Sequence, residues 1–273
     1  MVWSTERPEL FIILFDMSVL HKNTEQISYE IMRINKMIDM IISRNICFHG
    51  GSEFIKERLK LRVIGYDNEV INLLPEPSSG EDVTHFLKFL DDNPIRIEKA
   101  NKMVHDGAGG FIEVEYPRPI WIENPKRNKI ESNMHRAFMV TKKIIQAFIE
   151  SFPASDAPIV LNIPGGEPYF EGKSTSLCKS ETIDIVNSIK ILCHNVRIIN
   201  SIEEVNNSFP IDKGEVSEEL KFFYDISSEI IDDDFEVPHS FIEGFPLSKK
   251  GAHYLCRMQD VWDFFQVKFH NDD

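Results

Sequence analysis

The sequence predicts a doubly wound α/β fold of Rossmann-like architecture, with a mostly parallel sheet flanked by helices. Three observations predict it. Strand-length segments rich in apolar residues recur at 10–15, 59–66 and 157–163, the first of them a continuous apolar run. Between them lie stretches whose apolar residues return every three or four positions, the period of an amphipathic helix. The two patterns alternate along the whole chain, as crossover connections between parallel strands require. No linker, repeat or low-complexity tract interrupts them, so residues 1–273 are read as a single domain with a Gly/Pro-containing insertion at about 95–124.

Each element has its own signal. Residues 10–15 are apolar without alternation, which suits a strand buried on both faces. From Thr24 the stripe Ile27, Ile31, Ile34, Ile38 and Ile41 predicts a helix that stops before His49-Gly50-Gly51. Residues 59–66 are a second strand, and residues 70–74 pair beside it. Residues 82–90 predict a short helix with Val83, Phe86, Leu87 and Leu90 on one side. The insertion contains Asp106-Gly-Ala-Gly-Gly110, then Phe111 to Tyr116 in partial alternation, and reads as a Gly-rich turn followed by an edge hairpin or arm. Met134, Ala137, Phe138, Thr141, Ile144, Ile145 and Phe148 predict a helix after Ser132. Residues 157–163 are a buried strand, 181–192 a helix and 195–200 a strand. Ser217 opens another helix, 232–246 is an acidic loop, and 257–267 is a last helix.

Charge excludes several partners. Lys and Arg number 30 against 44 Asp and Glu, a formal net charge of −14. Broad nucleic-acid faces and electrostatic membrane anchors need the opposite sign, so neither partner is expected. Residues 201–247 hold 13 Asp and Glu against two Lys. This late segment lies far in sequence from the loops after the first and central strands, so it is expected to be solvated, or to be the face that meets a basic partner protein. The four cysteines form no CxxC pair and read as free thiols of a reducing, cytoplasmic compartment. The polar N-terminus has no signal-peptide core, and no apolar run approaches the ~18 residues of a membrane span.

In a doubly wound sheet the ligand site lies beyond the carboxyl ends of the strands, which points to the loops after Phe15, Tyr66 and Ile163. The run Phe11-Ile-Ile-Leu-Phe-Asp16-Met-Ser18 resembles the first strand of von Willebrand factor type A (vWA) domains. Further matches follow in order: Arg62-Val-Ile-Gly-Tyr66, Asp106-Gly-Ala-Gly-Gly110, Pro119-Ile-Trp121 and Asn162-Ile-Pro-Gly-Gly-Glu167. Together they cover nearly the whole chain and are similar to stand-alone bacterial members of the family. The resemblance implies a metal-ion-dependent adhesion site. There an Asp-x-Ser-x-Ser loop, a later Thr and an Asp after the central strand offer hard oxygen ligands to Mg²⁺.

The departures from that pattern bear directly on the site. Asp16 and Ser18 match, the second serine is Leu20, the threonine falls on Ser132, and the late aspartate falls on Gly165. The remaining metal candidates are therefore Asp16, Ser18 and Ser132, with Glu167 two residues from the lost acid. Leu20 is expected to fill the old site. The reading is a degenerate site that holds no metal, with Mg²⁺ as the alternative.

No catalytic constellation appears. The nine histidines are dispersed, and the Glu-x-x-His at Glu236–His239 contains Pro238, which opposes a helical ligand pair. A phosphate-loop reading of Asp106–Gly110 fails because strand-like residues follow it. The sequence therefore predicts a non-enzymatic adaptor or scaffold that binds another protein. The resemblance places it in a bacterial stress or phage-defence system. The alternative is an Mg-dependent ligand-binding protein, or a metal- or nucleotide-dependent enzyme, using the loop after the first strand.

Overall fold

A computed structural model describes residues 7–20, 22–49, 51–76, 85–107, 109–124, 129–205, 208–230 and 252–261. The first strand, β1 (Glu9–Asp16), lies in the middle of the main sheet, and all eight of its residues are buried. Its alternation divides the core. Phe11, Ile13 and Phe15 pack with Ile27, Ile31, Ile34, Ile38 and Ile41 of helix α1 (Thr24–Arg44). Leu10, Ile12 and Leu14 pack instead with Met134, Phe138, Ile145 and Phe148 of α3 (Met134–Ser151) and Val186 of α4 (Thr175–Leu192). Each large side chain so buried contributes about 1.5–3 kcal/mol, which explains why an unbroken apolar run stands here.

The order across the sheet is β11-β10-β9-β1-β4-β5, with β6 also on β4. The strands are β4 (Leu59–Tyr66), β5 (Val70–Asn72), β6 (His85–Phe86), β9 (Ile159–Ile163), β10 (Arg197–Ser201) and β11 (Leu255–Cys256). Pairs β1–β4, β1–β9, β9–β10 and β10–β11 are parallel, and β5 and β6 run antiparallel to β4. The chain passes from β1 to β4 on one side and later to β9 on the other, so the order reverses between β1 and β9.

Two antiparallel ribbons stand apart from this sheet. β2 (Ile46–His49) and β3 (Ser52–Ile55) form a short hairpin where only a helix end was expected. β7 (Arg96–His105) and β8 (Phe111–Ile120) pair over ten residues each. The Gly-rich stretch is the turn between these two strands rather than a turn ahead of them, and neither joins the main sheet. Asn35 of α1 clamps the base of this long ribbon. Its carbonyl accepts from Trp121 N (2.8 Å) and Ile122 N (3.1 Å), and its amide donates to Ile122 O (2.9 Å).

Several boundaries shift. α4 starts at Thr175 rather than 181, because Ser174 accepts from Leu177 N as its N-cap. The short helix near residue 85 is α2 (Leu87–Asp92), with Phe86 in a strand instead. The helix opened by Ser217 is a 3-10 turn followed by α5 (Lys221–Ile226). The expected acidic loop at 232–246, and the last helix beyond residue 261, lie outside the described residues. All four cysteines are free, and among the described residues no helix is long and apolar enough to cross a membrane.

Candidate functional site

Asp16 ends β1 at the point where the strand order reverses, and its side chain is fully buried. A carboxylate this far from water needs donors. Oδ1 accepts from Ser18 N at 2.9 Å, a turn made within the loop itself. Oδ2 accepts from Ser132 Oγ at 2.7 Å and from Gly165 N at 3.1 Å. Ser132 is fixed by a two-bond antiparallel bridge to Tyr169 (2.8 and 3.2 Å), and this joins the loop before α3 to the loop after β9. Asn133 then caps α3 by accepting from Arg136 N, while its own N–H donates to Asp67 O at 2.9 Å. Three of the four residues singled out as metal candidates therefore meet in one place.

The fourth does not join them. Glu167 is ion-paired to Lys179 of α4 and shares no hydrogen bond with Asp16, Ser18 or Ser132. Leu20 is 39% exposed, so it does not fill the vacated ligand position. Lys22 approaches that position instead. A Cβ on residue 165 would stand 3.1 Å from Asp16 Oδ2 and 3.5 Å from Lys22 Cε. The Lys22 ammonium, on a side chain only 8% exposed, donates to Glu30 of α1 at 2.8 Å and lies 5.3 Å from the Phe15 ring centre. Burial raises the Glu30 carboxyl above its ordinary range, with Lys22 pulling it back down. Burial likewise pushes the Tyr66 phenol well up, and the negative charges of Asp16 and Glu30 add to it.

One observation favours a divalent cation here: Ser18 Oγ is buried with no hydrogen-bond partner among the described residues. Against it, the one carboxylate at the site already accepts three chain donors. The position of the second acid is a glycine, and a lysine stem stands beside it. Among the described residues no group of three His, Cys, Asp or Glu converges to hold a metal. The residues present do not fit a divalent cation.

Beneath the site runs a polar relay that sequence reasoning missed. Tyr66 Oη donates to Asn162 Oδ1 (3.1 Å), Asn162 Nδ2 to Asn200 Oδ1 (2.8 Å), and Asn200 Nδ2 to Ser227 Oγ (2.9 Å). All four residues are fully buried. The signal was an asparagine within or at the end of an otherwise apolar strand, at 162 and again at 200.

Beside Asp16, at the carboxyl ends of β9 and β10, opens a cleft of about 1040 Å³. Its walls come from the start of α1, the 163–167 loop, residues 201–204 and the 217–223 segment. Glu203, Glu204 and Glu219 of the late acidic segment are therefore next to the Gly165 loop, despite their distance in sequence. Distance in sequence is thus not distance in the fold for these three glutamates.

No family model matches the chain, and no curated protein matches it. Solved structures do. Proximal thread matrix protein 1 from the mussel byssus aligns over 98% of this chain and 48% of its own, at 11% identity and a TM-score of 0.40. A second crystal form of it covers 82% and 42%, at 14% identity and 0.38. Manganese-loaded TRAP protein of Plasmodium vivax covers 74% and 60%, at 13% identity and 0.36. The chain spans about half the length of these proteins. At such scores the likenesses leave the fold to rest on the strand order described above.

Proposed function

We propose that this chain is a non-enzymatic protein-interaction module on a vWA-like frame, which binds a partner protein through the ligand end of its sheet without a bridging metal. One observation carries the reading. Asp16 is held by Ser18 N, Ser132 Oγ and Gly165 N, with the Lys22–Glu30 pair at its side, so donors of the chain itself satisfy the carboxylate that a cation would otherwise meet. The doubly wound sheet and the ordered sequence matches support the frame. An adaptor role in a bacterial stress or phage-defence system rests on the sequence resemblance alone.

Thermal melts test this reading, because a ligand that binds only the folded state raises Tm. The expected result is the same Tm in millimolar Mg²⁺, Mn²⁺ or EDTA. A rise with Mg²⁺ that vanishes in Asp16→Asn would overturn it. A second reading, an Mg²⁺-dependent ligand-binding protein, is favoured by the unpartnered Ser18 hydroxyl and would be supported by that rise.

A further inference from the structure

We infer that the cleft beside Asp16 binds a basic segment of the partner protein, taking an Arg or Lys side chain between its glutamate walls. This rests on the interaction-module reading and adds the partner's chemistry.

Charge decides the sign of the ligand. Six glutamates line the cleft, Glu25, Glu30, Glu167, Glu203, Glu204 and Glu219, against two cations, Lys22 and Arg33. Both cations are already matched, Lys22 by Glu30 at 2.8 Å and Arg33 by Glu203 at 2.5 Å. Glu167 is matched by Lys179 from outside the cleft. Glu25, Glu204 and Glu219 have no ion pair among the described residues, and all three are exposed. The N-terminus of α1 opposes them with about half a positive charge, but its capping box already occupies the end, with Asn23 and Gln26 bonded reciprocally. Three full negative charges outweigh it.

Two further observations point to a ligand. Ser201 lines the cleft at the carboxyl end of β10 and is 5% exposed. Its hydroxyl can both donate to and accept from a polar group that enters the cleft. The cleft wall also already holds one guanidinium in the manner proposed: Arg33 lies 5.5 Å from the Tyr29 ring centre while pairing with Glu203. Tyr29 itself is 56% exposed, so a ring edge is open to an incoming cation. The floor is apolar, with Pro164, Ile202, Leu220 and Met258 buried, which suits the aliphatic stem of a Lys or Arg. A volume of about 1040 Å³ holds several residues of peptide rather than a lone ion.

The test uses the full chain and a fluorescein-labelled Gly-Arg-Gly-Arg-Gly-Arg-Gly peptide, read by anisotropy at low and at 0.3 M salt. Binding is expected, weakened by salt and unaffected by EDTA. Glu204→Gln/Glu219→Gln should weaken it roughly tenfold, since each lost acid removes one exposed ion pair. Glu53→Gln/Glu113→Gln removes the same charge from exposed sites on the two ribbons and should change it less than twofold. Circular dichroism should show all variants folded. Equal losses in both double variants would reveal attraction to net charge alone and overturn the proposal, as would no binding by the unaltered chain at millimolar protein. Neither outcome would touch the metal-free reading, which fails only if Mg²⁺ is bound through Asp16.

Discussion

The buried carboxylate at the end of β1 and the open cleft next to it are both acidic, and they treat that charge in opposite ways. Asp16 has no contact with solvent and is held by three donors of the chain. Glu25, Glu204 and Glu219 face water with no ion pair among the described residues. The first arrangement fixes loops; the second leaves a field for something else to neutralise. Under the proposed function, stability and recognition at the carboxyl end of this sheet fall to neighbouring but separate groups. Substitutions in the pocket should therefore change folding, and substitutions in the cleft should change binding alone.

The largest effect should come from Asp16→Ala. It leaves Ser132 Oγ, Ser18 N and Gly165 N without their acceptor, at about 3 kcal/mol in total. Urea denaturation measures this, and a loss below about 1 kcal/mol would mean the carboxylate does not hold the loops. Gly165→Asp should cost about 2 kcal/mol. Its Cβ would press on Asp16 at 3.1 Å and bring a second carboxylate there, with the Lys22 ammonium as partial compensation. Stability unchanged in that variant would show that the pocket still has room for the second acid.

Glu30, at the boundary of pocket and cleft, gives a graded effect with pH. Its folded carboxyl is raised above 4.5 by burial, so the folded state keeps a proton that the unfolded chain has released. Its contribution to stability is complete below about 4.5 and falls as pH rises through the higher folded value. Denaturation midpoints measured across mildly acidic pH should show that slope, and Glu30→Gln should flatten it. An unchanged slope in the variant would place the titration elsewhere. The smallest effect belongs to Leu20→Ser, within about 0.5 kcal/mol of the parent, because Leu20 is largely at the surface. A cost above 1 kcal/mol would mean that its side chain packs where the exposed geometry says it does not.

Much of the fold was legible because burial on both faces leaves a plain mark. β1 and β9 are nearly unbroken apolar runs, β4 is mostly apolar around Lys60 and Arg62, and α1 and α3 carry full stripes. The exposed ribbons were not so clear. Arg96–His105 pairs along its whole length by backbone bonds, yet mixes charged and apolar residues because neither of its faces is in the core. That Asp16, Ser18 and Ser132 belong together was legible from the family resemblance, and the three do meet. That Lys22 rather than Leu20 would approach Gly165, and that Glu203, Glu204 and Glu219 would come beside it, depends on the path of loops between distant strands, which no local period records.

The central claim is that the ligand end of this sheet works without a metal. Calorimetric titration of Mg²⁺ into the full chain tests it most directly. Heats no larger than those of dilution are expected, alike for the parent and for Asp16→Ala. Stoichiometric heat in the parent that disappears in Asp16→Ala would contradict it.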